Sequence, residues 1–458
     1  MSEIQYDVVV AGGGGSGLTA AYRLGRAGYS VLILEKEDRV GGRTLSGRID
    51  NHCPYNLGTQ FMVGEAGPIV DLRNELAIPV RPIAMTPLAW YSQGKLVTAR
   101  SNLGLLLRLP LSLPAKISLA LNMRRFQAQA FKFYQPGWTS QHAARMRELD
   151  AQPYSEAIRH VHPQARPFFE LLAGDLCANR PESVSSIGGL VSTLAFEFGQ
   201  GYVAEEGNES LHRALLESSH AQVIQRATVV DMRSSTNGVT VTFIRDGREQ
   251  RVEARFAVSS LPADVVLDVV KDLPEPKQAA LRNVIYGPFV SAVFLTNETT
   301  AARWRDFAMM VVLDKAFSFV VNQSSAYYGS RNKSRQGSAI FTMAITEKAR
   351  QLLERPVEEV EEIVRRDMLS IFPEMAGVLR HVLVHKWPRG LPGFRTGAYA
   401  QAAIRKAPHG RIHFAGDYLT ETTASLRSAV VSAEDCSAQI LRRLVAEPHA
   451  VTAKVALT

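Results

Sequence analysis

The sequence predicts an α/β protein whose N-terminal domain is built on a parallel sheet, with a second, mixed α+β domain formed by insertions. A short apolar strand at residues 6–11 runs directly into a glycine-rich turn and a helical stretch. A second apolar strand at residues 30–34 follows that helix and completes a βαβ unit. The whole chain has 458 residues, 46% of them hydrophobic and 21% charged, as expected for a folded protein of two or three domains.

The composition excludes several other classes of protein. Three cysteines far apart in the sequence cannot form a disulfide framework or a thiolate metal cluster, and the 11 histidines show no metal-ligand spacing. No stretch of about 20 uncharged apolar residues predicts a membrane-spanning helix. The N-terminus has neither the basic nor the apolar region of a signal peptide. We therefore expect a cytoplasmic protein with no metal site and, because no binding motif is present, no nucleic-acid partner.

The turn after the first strand carries the spacing G-x-G-x-x-G. Gly12 allows the tight turn, Gly14 lets the backbone approach a pyrophosphate, and Gly17 lets the helix and strand pack closely. Gly15 and Ser16 open the helix, whose free N–H groups and positive dipole end favour phosphate binding. A glycine-rich turn alone is weak evidence, but its position between two strands predicts a dinucleotide-binding site.

An acidic residue and a second glycine pair follow the second strand. Glu35, at the tip of that strand, is placed to accept hydrogen bonds from the ribose of an adenosine, and its charge argues against the 2′-phosphate of NADP. Lys36 comes next, and Gly41, Gly42 and Arg43 follow a few residues later. The Arg43 guanidinium can neutralise the charge of a pyrophosphate.

Two more segments complete a pattern that spans the chain. One is the stretch Gly58-Thr59-Gln60-Phe61, and the other is a strand that ends in Gly416-Asp417 before the final helix opens at Ser425-Leu426. Together with the N-terminal turn and the GGR segment, they resemble the signature of the flavin-containing amine oxidase superfamily. This superfamily includes monoamine oxidases, protoporphyrinogen oxidases and phytoene desaturases. The resemblance extends over effectively the whole chain.

The resemblance implies a Rossmann-like FAD-binding domain of the glutathione-reductase type and a bound FAD. Asp417 would hydrogen-bond the ribityl hydroxyls, and the backbone at Val229 would meet the adenine. The helix that opens at Ser425 would direct its positive dipole end at the pyrimidine end of the isoalloxazine. The candidate cofactor-binding residues are Gly12, Gly14, Gly15, Ser16, Gly17, Glu35, Lys36, Gly41, Gly42, Arg43, Gly58, Thr59, Gln60, Phe61, Val229, Gly416, Asp417, Ser425 and Leu426.

The resemblance also identifies candidate catalytic residues. The stretch 386–399 resembles the family segment beside the isoalloxazine, and Trp387 and Tyr399 match its aromatic positions; an ordinary core position is the alternative for both. Three residues depart from the family pattern. Ala398 stands where covalent members carry a cysteine, Ser425 where amine oxidases often carry a second aromatic residue, and Ser291 where they tend to carry a lysine near flavin N5. The departures favour a non-covalent flavin and the protoporphyrinogen oxidase or desaturase branch.

These observations predict an FAD-dependent oxidoreductase of the oxidase or desaturase type. It would transfer a hydride to flavin N5 from a small organic substrate, at a C–H bond next to nitrogen or an unsaturated carbon. Oxygen or another acceptor would then take the electrons. Two alternatives remain open: a true amine or amino acid oxidase that produces hydrogen peroxide, and a redox-neutral or non-catalytic FAD-binding protein.

The pattern of segments predicts two discontinuous domains. The FAD-binding domain comprises residues 1–82, 201–275 and 388–447, the substrate domain comprises 83–200 and 276–387, and residues 448–458 form a flexible tail. The insertion 83–200 looks mostly helical. The insertion 276–387 predicts strands at 290–295, 308–313, 318–321 and 339–345, followed by a helix at 357–372.

One segment of the substrate domain is strongly basic. On a helical projection, Ile117, Leu121 and Phe131 widen the apolar arc formed by Leu119 and Phe126. Such an arc with basic flanks fits either a helix packed in its own domain or one lying on an anionic membrane surface, which would make the substrate lipophilic. We expect packing, with peripheral membrane contact as the alternative. Residues 101–147 contain no Asp or Glu but seven basic residues: Arg108, Lys116, Arg124, Arg125, Lys132, Arg145 and Arg147.

Overall fold

A computed structural model describes residues 4–50, 52–63, 66–83, 87–133, 141–194, 200–328, 337–420 and 424–447. The strands of these residues form two seven-stranded sheets and two small ones. The tail 448–458 lies outside the described residues. The strands are β1 (Tyr6–Ala11), β2 (Val31–Leu34), β3 (Ser46–Gly47), β4 (Tyr55–Asn56), β5 (Met62–Val63), β6 (Val80–Ile83), β7 (Leu88–Ser92), β8 (Lys95–Ala99), β9 (Gly201–Ala204), β10 (Gln222–Ile224), β11 (Ala227–Ser234), β12 (Val239–Arg245), β13 (Arg248–Ser259), β14 (Val284–Thr296), β15 (Met309–Val312), β16 (Phe319–Asn322), β17 (Ser338–Ile345), β18 (Leu379–Phe394) and β19 (Ile412–Phe414).

The α-helices lie between these strands and on both sides of the sheets. They are α1 (Gly15–Arg26), α2 (Pro68–Glu75), α3 (Asn102–Arg108), α4 (Leu113–Lys132), α5 (Ala143–Asp150), α6 (Tyr154–Ile158), α7 (Arg166–Cys177), α8 (Ser186–Ser192), α9 (Glu209–Ser219), α10 (Ala263–Val269), α11 (Glu275–Arg282), α12 (Ser324–Tyr328), α13 (Thr346–Leu353), α14 (Val357–Ile371), α15 (Ala402–Lys406) and α16 (Leu426–Ala446). Short 3₁₀ turns occur at 303–305, 373–377, 399–401 and 417–419.

The first sheet is parallel around its centre. Its strand order is β10-β2-β1-β13-β12-β11, and β19 pairs with β13. All six residues of β1 are buried, as expected for a parallel strand covered on both faces. Helices α1, α9 and α16 pack together, and their apolar residues share one core with alternate residues of β1 and β2. The βαβ unit predicted from the sequence is therefore present at the centre of this sheet.

The second sheet has the order β18-β14-β17-β16-β15-β7-β8 and is antiparallel except between β15 and β7. The strands predicted at 290–295, 308–313, 318–321 and 339–345 all lie in this sheet, as β14, β15, β16 and β17. Their ends agree with the prediction to within one or two residues, except that β14 begins earlier, at Val284. One face packs against α14, whose Val360, Val364 and Met368 share a core with Phe294 and Ile340. The opposite face, which we call the inner face, looks towards α7 and the first sheet.

The described part of the insertion 83–200 is mostly helical, as expected, but strands β7 and β8 add a hairpin that the sequence did not predict. They are joined by the two-residue turn Gln93-Gly94, with φ values of 51° and 73°. Positive φ at both positions is the geometry of a type I′ hairpin, whose twist matches that of the paired strands. Each strand has only five residues, too few for a helix or strand period to be distinguished in the sequence.

Helix α4 divides the apolar arc of the basic segment into two parts. Leu119, Phe126 and Ala130 are buried against the domain, whereas Leu121 is 64% exposed and Ile117 is 51% exposed. The expectation that this arc packs is therefore correct for its inner half only. No helix among the described residues is long and apolar enough to cross a membrane.

Candidate cofactor and active site

The glycine-rich turn brings the chain to the start of α1 in a conformation that needs glycine. Gly12 has a φ of +98°, and a Cβ atom built on Gly17 would lie 2.0 Å from the Gly12 carbonyl oxygen. Gly14 is the N-cap of α1 and supplies no capping side chain. The N–H groups of Gly15 and Ser16 in the first turn are therefore left for an external acceptor, as in a phosphate-binding helix N-terminus.

Glu35 supports this turn from the end of β2. Its Oε2 accepts a hydrogen bond from Gly13 N at 2.6 Å, and its Oε1 accepts one from Glu37 N at 2.9 Å. The residue is only 7% exposed. The neighbouring Lys36 points away, with a 63% exposed side chain paired with Glu37. Of these two sequence candidates, only Glu35 contacts the glycine-rich turn with its side chain. The Lys36 side chain is directed away from the turn.

The second glycine pair packs directly on the first turn. Gly41 N donates to Gly13 O at 2.7 Å, and a Cβ atom on Gly42 would be 3.1 Å from Gly14 Cα. Gly41 and Gly42 both have positive φ values. The two glycine-rich segments therefore form one backbone surface with no side chain between them.

Arg43 and Asp417 form an ion pair next to this surface. Arg43 Nη2 donates to Asp417 Oδ1 at 2.7 Å, and Arg43 Nη1 donates to Gly390 O at 3.0 Å. Desolvation lowers the pKa of Arg43, but the charge of Asp417 and its hydrogen bond more than compensate, so the net pKa is raised. The Arg43 side chain nevertheless keeps 36% of its surface accessible. The Arg43 guanidinium is therefore desolvated but still accessible, next to the glycine-rich surface.

Tyr286 belongs to the same site and was not singled out from the sequence. Its hydroxyl accepts a hydrogen bond from Ala263 N at 2.9 Å. Burial raises its pKa well above the usual value, and Asp417 raises it further while Arg43 lowers it. The residue is partly accessible despite this desolvation. Its position at the Arg43–Asp417 pair follows from the long-range pairing of β14 with β18, for which the local sequence carries no signal.

The stretch 58–61 holds the Arg43 segment in place. A Cβ atom on Gly58 would lie 1.9 Å from Arg43 O, so only glycine fits there. Thr59 N donates to Arg43 O at 3.0 Å, and Gln60 Nε2 donates to Gly58 O at 2.7 Å. Phe61 follows in a partly buried position. These residues therefore lie beside the site and fix the backbone that carries Arg43.

Val229 lies on β11, which starts beside Glu35. Ala227 N donates to Glu35 O at 2.8 Å, so the beginning of β11 runs alongside the end of β2. Val229 is 7% exposed and precedes an irregularity in the pairing with β12. The strand therefore reaches the Glu35 end of the site, where the sequence expects an adenine.

The start of α16 converges on the start of α1. Ser425 is the N-cap of α16 and forms a capping box with Ser428. Leu426 Cδ1 would be 2.8 Å from a Cβ atom on Gly15. Gly416 N donates to Ser432 Oγ at 2.8 Å and ties the Gly416-Asp417 turn to the same helix. Two helix N-termini, far apart in sequence, thus meet at one place.

Trp387 is fixed by hydrogen bonds on the inner face of the second sheet. Its indole Nε1 donates to Ser291 Oγ at 3.0 Å and to Leu57 O at 3.2 Å. Ser291 is fully buried and donates to the same Leu57 carbonyl at 2.7 Å. The ring of His385 lies 4.1 Å from that of Trp387, and burial lowers the pKa of His385. Leu57 directly precedes Gly58, so this cluster is attached to the Arg43 segment.

Tyr399 lies in the 3₁₀ turn that follows β18 and contacts the last residue of that strand. Its ring packs on Phe394 at 5.0 Å, and its hydroxyl would be 3.1 Å from a Cβ atom on Gly188 in α8. The loop that carries it is held by Asp150, whose Oδ2 accepts from Ala400 N at 2.9 Å. Burial raises the pKa of Asp150. The structure therefore joins Trp387 to Ser291 and Tyr399 to α8.

Comparisons with known proteins agree with the chain-long pattern. Residues 16–441 match the family described as flavin containing amine oxidoreductase. A Mycobacterium tuberculosis protein assigned as the flavin-containing monoamine oxidase AofH is 26% identical over 95% of this chain and 96% of its own length. An L-amino-acid oxidase of Siganus canaliculatus is 23% identical over 93% of this chain and 83% of its own. A solved putrescine oxidase with bound putrescine has a TM-score of 0.76 at 19% identity, covering 96% of this chain and all of the other.

The residues of this chain fit the FAD that the family carries. The first turn of α1 has no side-chain cap, the two glycine pairs leave an open backbone surface, and the Arg43 guanidinium next to that surface remains accessible. The comparison with solved structures supports the fold, and the family match covers most of the chain. The chain therefore belongs to the flavin-containing amine oxidoreductase family and is an FAD-dependent oxidoreductase.

Proposed function

We propose that this chain oxidises an amine at the C–H bond next to nitrogen and passes the electrons to oxygen. In this overall reaction the amine loses two electrons and two protons to become an imine, and oxygen gains them to become hydrogen peroxide. The observation that carries the proposal is the chain-long match to a family of amine oxidoreductases. Both the monoamine oxidase and the L-amino-acid oxidase relatives align over nearly the whole chain, which favours the amine oxidase alternative over a desaturase.

We propose that the inner face forms one wall of the dry, shaped pocket that such a reaction needs. FAD, when bound, supplies the two-electron acceptor. Trp387 is locked by two hydrogen bonds, so its ring presents a fixed apolar wall. Phe289 lies 5.5 Å from it between ring centroids and extends that wall. We propose that Trp387 and Tyr399 contact the substrate and orient its C–H bond, because positioning and exclusion of water are the main demands on the side chains.

We propose that FAD is held by the residues named from the sequence and that Tyr286 adds to them. The α1 N-terminus and Arg43 would bind the pyrophosphate, Glu35 the adenosine ribose, and Asp417 the ribityl chain. The two large sheets support the proposed division into an FAD-binding domain of residues 1–82, 201–275 and 388–447 and a substrate domain of 83–200 and 276–387, except that β18 continues in the second sheet to Phe394, past the proposed boundary at 388.

An anaerobic titration with amines tests the proposed activity. We expect the flavin absorbance to bleach with an amine, and peroxide to appear in a one-to-one ratio with the oxidised amine when oxygen is admitted. Bleaching by unsaturated ring substrates and by no amine would support the desaturase alternative. A flavin that no candidate metabolite bleaches would identify a redox-neutral or non-catalytic FAD-binding protein.

A separate surface supports peripheral membrane contact. We define the α3–α4 surface by its exposed apolar residues, and we propose that it rests on an anionic lipid membrane. None of the five basic residues around it forms an ion pair with a described residue. Exposed apolar side chains ringed by uncompensated positive charge are typical of helices that lie in the interface of an anionic bilayer. The apolar residues are Leu103, Leu107, Leu113, Ile117, Leu121 and Phe131, and the basic ones are Arg108, Lys116, Arg124, Arg125 and Lys132.

Two residues of the basic segment lie outside this surface. Arg145 pairs with Glu148 at 2.7 Å, so the charge on Arg145 is compensated. Arg147 follows on the same helix, α5. The positive charge that matters for lipid is therefore concentrated on α3 and α4.

Sedimentation with vesicles tests the membrane proposal. We expect binding to phosphatidylglycerol vesicles at low salt, weaker binding at high salt because charge is screened, and little binding to phosphatidylcholine vesicles. Ile117→Asp should abolish binding, whereas Val357→Asp, at an exposed apolar residue elsewhere, should not. Binding that is absent at low salt, or self-association through this surface in ultracentrifugation, would contradict the proposal.

A further inference from the structure

Helix α7 lies across the inner face of the second sheet, and three contacts show which side of the helix faces the strands. Near its start, the ring of Phe168 stacks on that of Trp90 in β7 at 5.9 Å. Near its end, a Cβ atom on Gly174 would be 2.9 Å from Ile345 Cδ1 in β17. Just after it, Ala178 Cβ would be 2.5 Å from a Cβ atom on Gly287 in β14. The helix therefore crosses the sheet from β7 to β14.

Asp175 lies on this sheet-facing side. It is seven residues after Phe168 and four after Leu171, and these spacings place side chains on one face of a helix. Phe168 and Leu171 are partly buried against the apolar core that contains the inner face. Asp175 is therefore the one acidic side chain of α7 that the helical period directs at the strands.

The strands opposite Asp175 present a continuous row of side chains, which we call the inner row. It is set by register across five neighbouring strands, so its members point to the same face. The first member, Ser291, carries the hydrogen bond from Trp387. The inner row consists of Ser291, Met343, Phe319, Val311 and Trp90.

The inner row borders an internal space. Met343 sits in β17, which is paired with strands on both sides, yet its side chain is partly exposed. Asp175 is also partly exposed, although burial raises the pKa of its carboxyl to about 7 and desolvation is the sole cause of that shift. A residue with accessible surface in a desolvated position lines a cavity. Asp175 is such a residue, and the partly exposed Met343 lies on the strand that the helix crosses, which places the cavity between α7 and β17.

The Asp175 carboxylate forms no hydrogen bond or ion pair with any described residue. A desolvated carboxylate without a partner is costly, and such groups normally occur where they bind something. Cys177 lies within electrostatic range of Asp175, and its Sγ would be 3.4 Å from a Cβ atom on Gly188, the same position that Tyr399 approaches. The cavity at Asp175 is therefore close to the proposed substrate-contacting residues.

We infer that Asp175 binds a second, cationic group of the substrate, so that the preferred amine carries another ammonium group at its far end. This inference rests on the proposed amine oxidation. Asp175 lies opposite β17, and Trp387 lies on β18, two strands away. At about 4.8 Å per strand, the part of the sheet opposite Asp175 is about 10 Å from the Trp387 position, measured along the sheet. The two nitrogens of the substrate would accordingly be separated by several methylene groups, whose apolar surface suits Met343 and Phe319.

A charge-assisted hydrogen bond in this cavity would favour a cationic chain end strongly. The interior screens charge less than water does, so an ammonium–carboxylate contact is stronger there than on the surface. An uncharged chain end gains no such contact and leaves the carboxylate without a partner. The cavity therefore distinguishes a diamine from a monoamine of the same length.

Anaerobic stopped-flow reduction with 1,6-diaminohexane and 1-aminohexane tests this inference. In the unmodified protein we expect the diamine to bind about tenfold more tightly or better. Asp175→Asn, nearly isosteric, should remove that preference by raising the Kd of the diamine while the limiting rate of flavin reduction changes little. Glu170→Gln, on the same helix but away from the sheet, should keep the preference.

The thermal unfolding midpoint provides a readout that does not depend on turnover. 1,6-Diaminohexane should raise it in the unmodified protein and in Glu170→Gln, but not in Asp175→Asn. If Asp175→Asn weakens the binding of both amines equally, or leaves the preference for the diamine unchanged, the inference is overturned. If no amine reduces the flavin, the proposed function fails, but the diamine-dependent midpoint shift still decides the role of Asp175.

Discussion

The indole N–H of Trp387 donates a hydrogen bond to the hydroxyl of Ser291, and both groups bond to the same carbonyl of Leu57. Ser291 occupies the position at which the family resemblance expects a lysine. In this chain the position is fully buried and its hydroxyl already has partners. The serine therefore contributes to holding Trp387, and it supplies no cationic group near the flavin.

This arrangement predicts slow reaction of the reduced flavin with oxygen. Without a lysine at position 291, no ammonium group from this residue stabilises the negative charge that develops as oxygen accepts electrons. We expect oxygen, the proposed acceptor, to reoxidise the flavin more slowly than it does in amine oxidases that carry the lysine. A quinone should reoxidise the same reduced protein faster than oxygen does. Stopped-flow mixing of reduced protein with either acceptor measures both rates. Fast recovery with oxygen alone would show that Ser291 was misassigned.

Tyr399→Ala should slow flavin reduction far more than it weakens FAD binding. The ring packs on Phe394 and approaches α8, away from the Arg43–Asp417 pair. Its removal would leave the cofactor contacts intact and open the pocket wall, with an expected tenfold or larger fall in the reduction rate. Tyr399→Phe should retain most of the rate. Loss of FAD in Tyr399→Ala would contradict the proposed role.

Glu35→Ala should weaken FAD retention. The adenosine ribose would lose a charged hydrogen-bond partner, which costs about 1.5–3 kcal/mol, and the backbone at Gly13 would lose the acceptor that holds it. Equilibrium dialysis or dilution followed by flavin fluorescence measures the change. Glu37→Ala is a matched control because its side chain is 59% exposed. Equal FAD occupancy in the two variants would show that Glu35 is not at the ribose.

The flavin should leave the protein on acid denaturation. Ala398 offers no thiol at the position where covalent relatives carry a cysteine, so no bond would retain the cofactor in the precipitate. Absorbance of the supernatant and of the redissolved pellet separates the two outcomes. Yellow colour that stays with the pellet would disprove the non-covalent assignment.

Asp7→Asn should destabilise the first sheet. Asp7 Oδ1 accepts from Arg255 Nη1 at 2.9 Å, and Oδ2 accepts from Ser30 N at 2.9 Å. The Arg255 side chain is only 5% exposed, so removal of its partner leaves a buried charge and lowers the free energy of unfolding by about 3–5 kcal/mol. Urea unfolding followed by circular dichroism measures this loss. Glu249→Gln, at an exposed ion pair, should be nearly neutral.

The parts of the site that could be predicted from the sequence are those that depend on short-range chemistry. The strand, glycine turn and helix at 6–26 are specified by adjacent residues, and so is the cap of α16 at Ser425. Where a turn requires positive φ or close backbone approach, only glycine fits, so the turn can be recognised from a single sequence.

The remainder depends on which strands become neighbours. Arg43 and Asp417 are 374 positions apart, so their pairing depends on the packing of segments that are distant in the sequence. The roles of Tyr286 and Asp175 likewise arise from the β14–β18 pairing and from the path of α7 across the second sheet. The half-buried state of α4 could not be inferred, because apolar residues facing protein and those facing outwards look alike on a helical projection.

The convergence of α1 and α16 at Gly15 also affects how the protein matures. The glycine turn leaves the ribosome long before Asp417 and Ser425 do, and β1 must wait for β13 and β13 for β19. A chain that ends before these residues has the proposed phosphate-binding turn without the groups that close the site. FAD capture is therefore coupled to synthesis of the α16 segment, and chains that terminate before it would remain without cofactor and, with sheet edges unpaired, prone to aggregation.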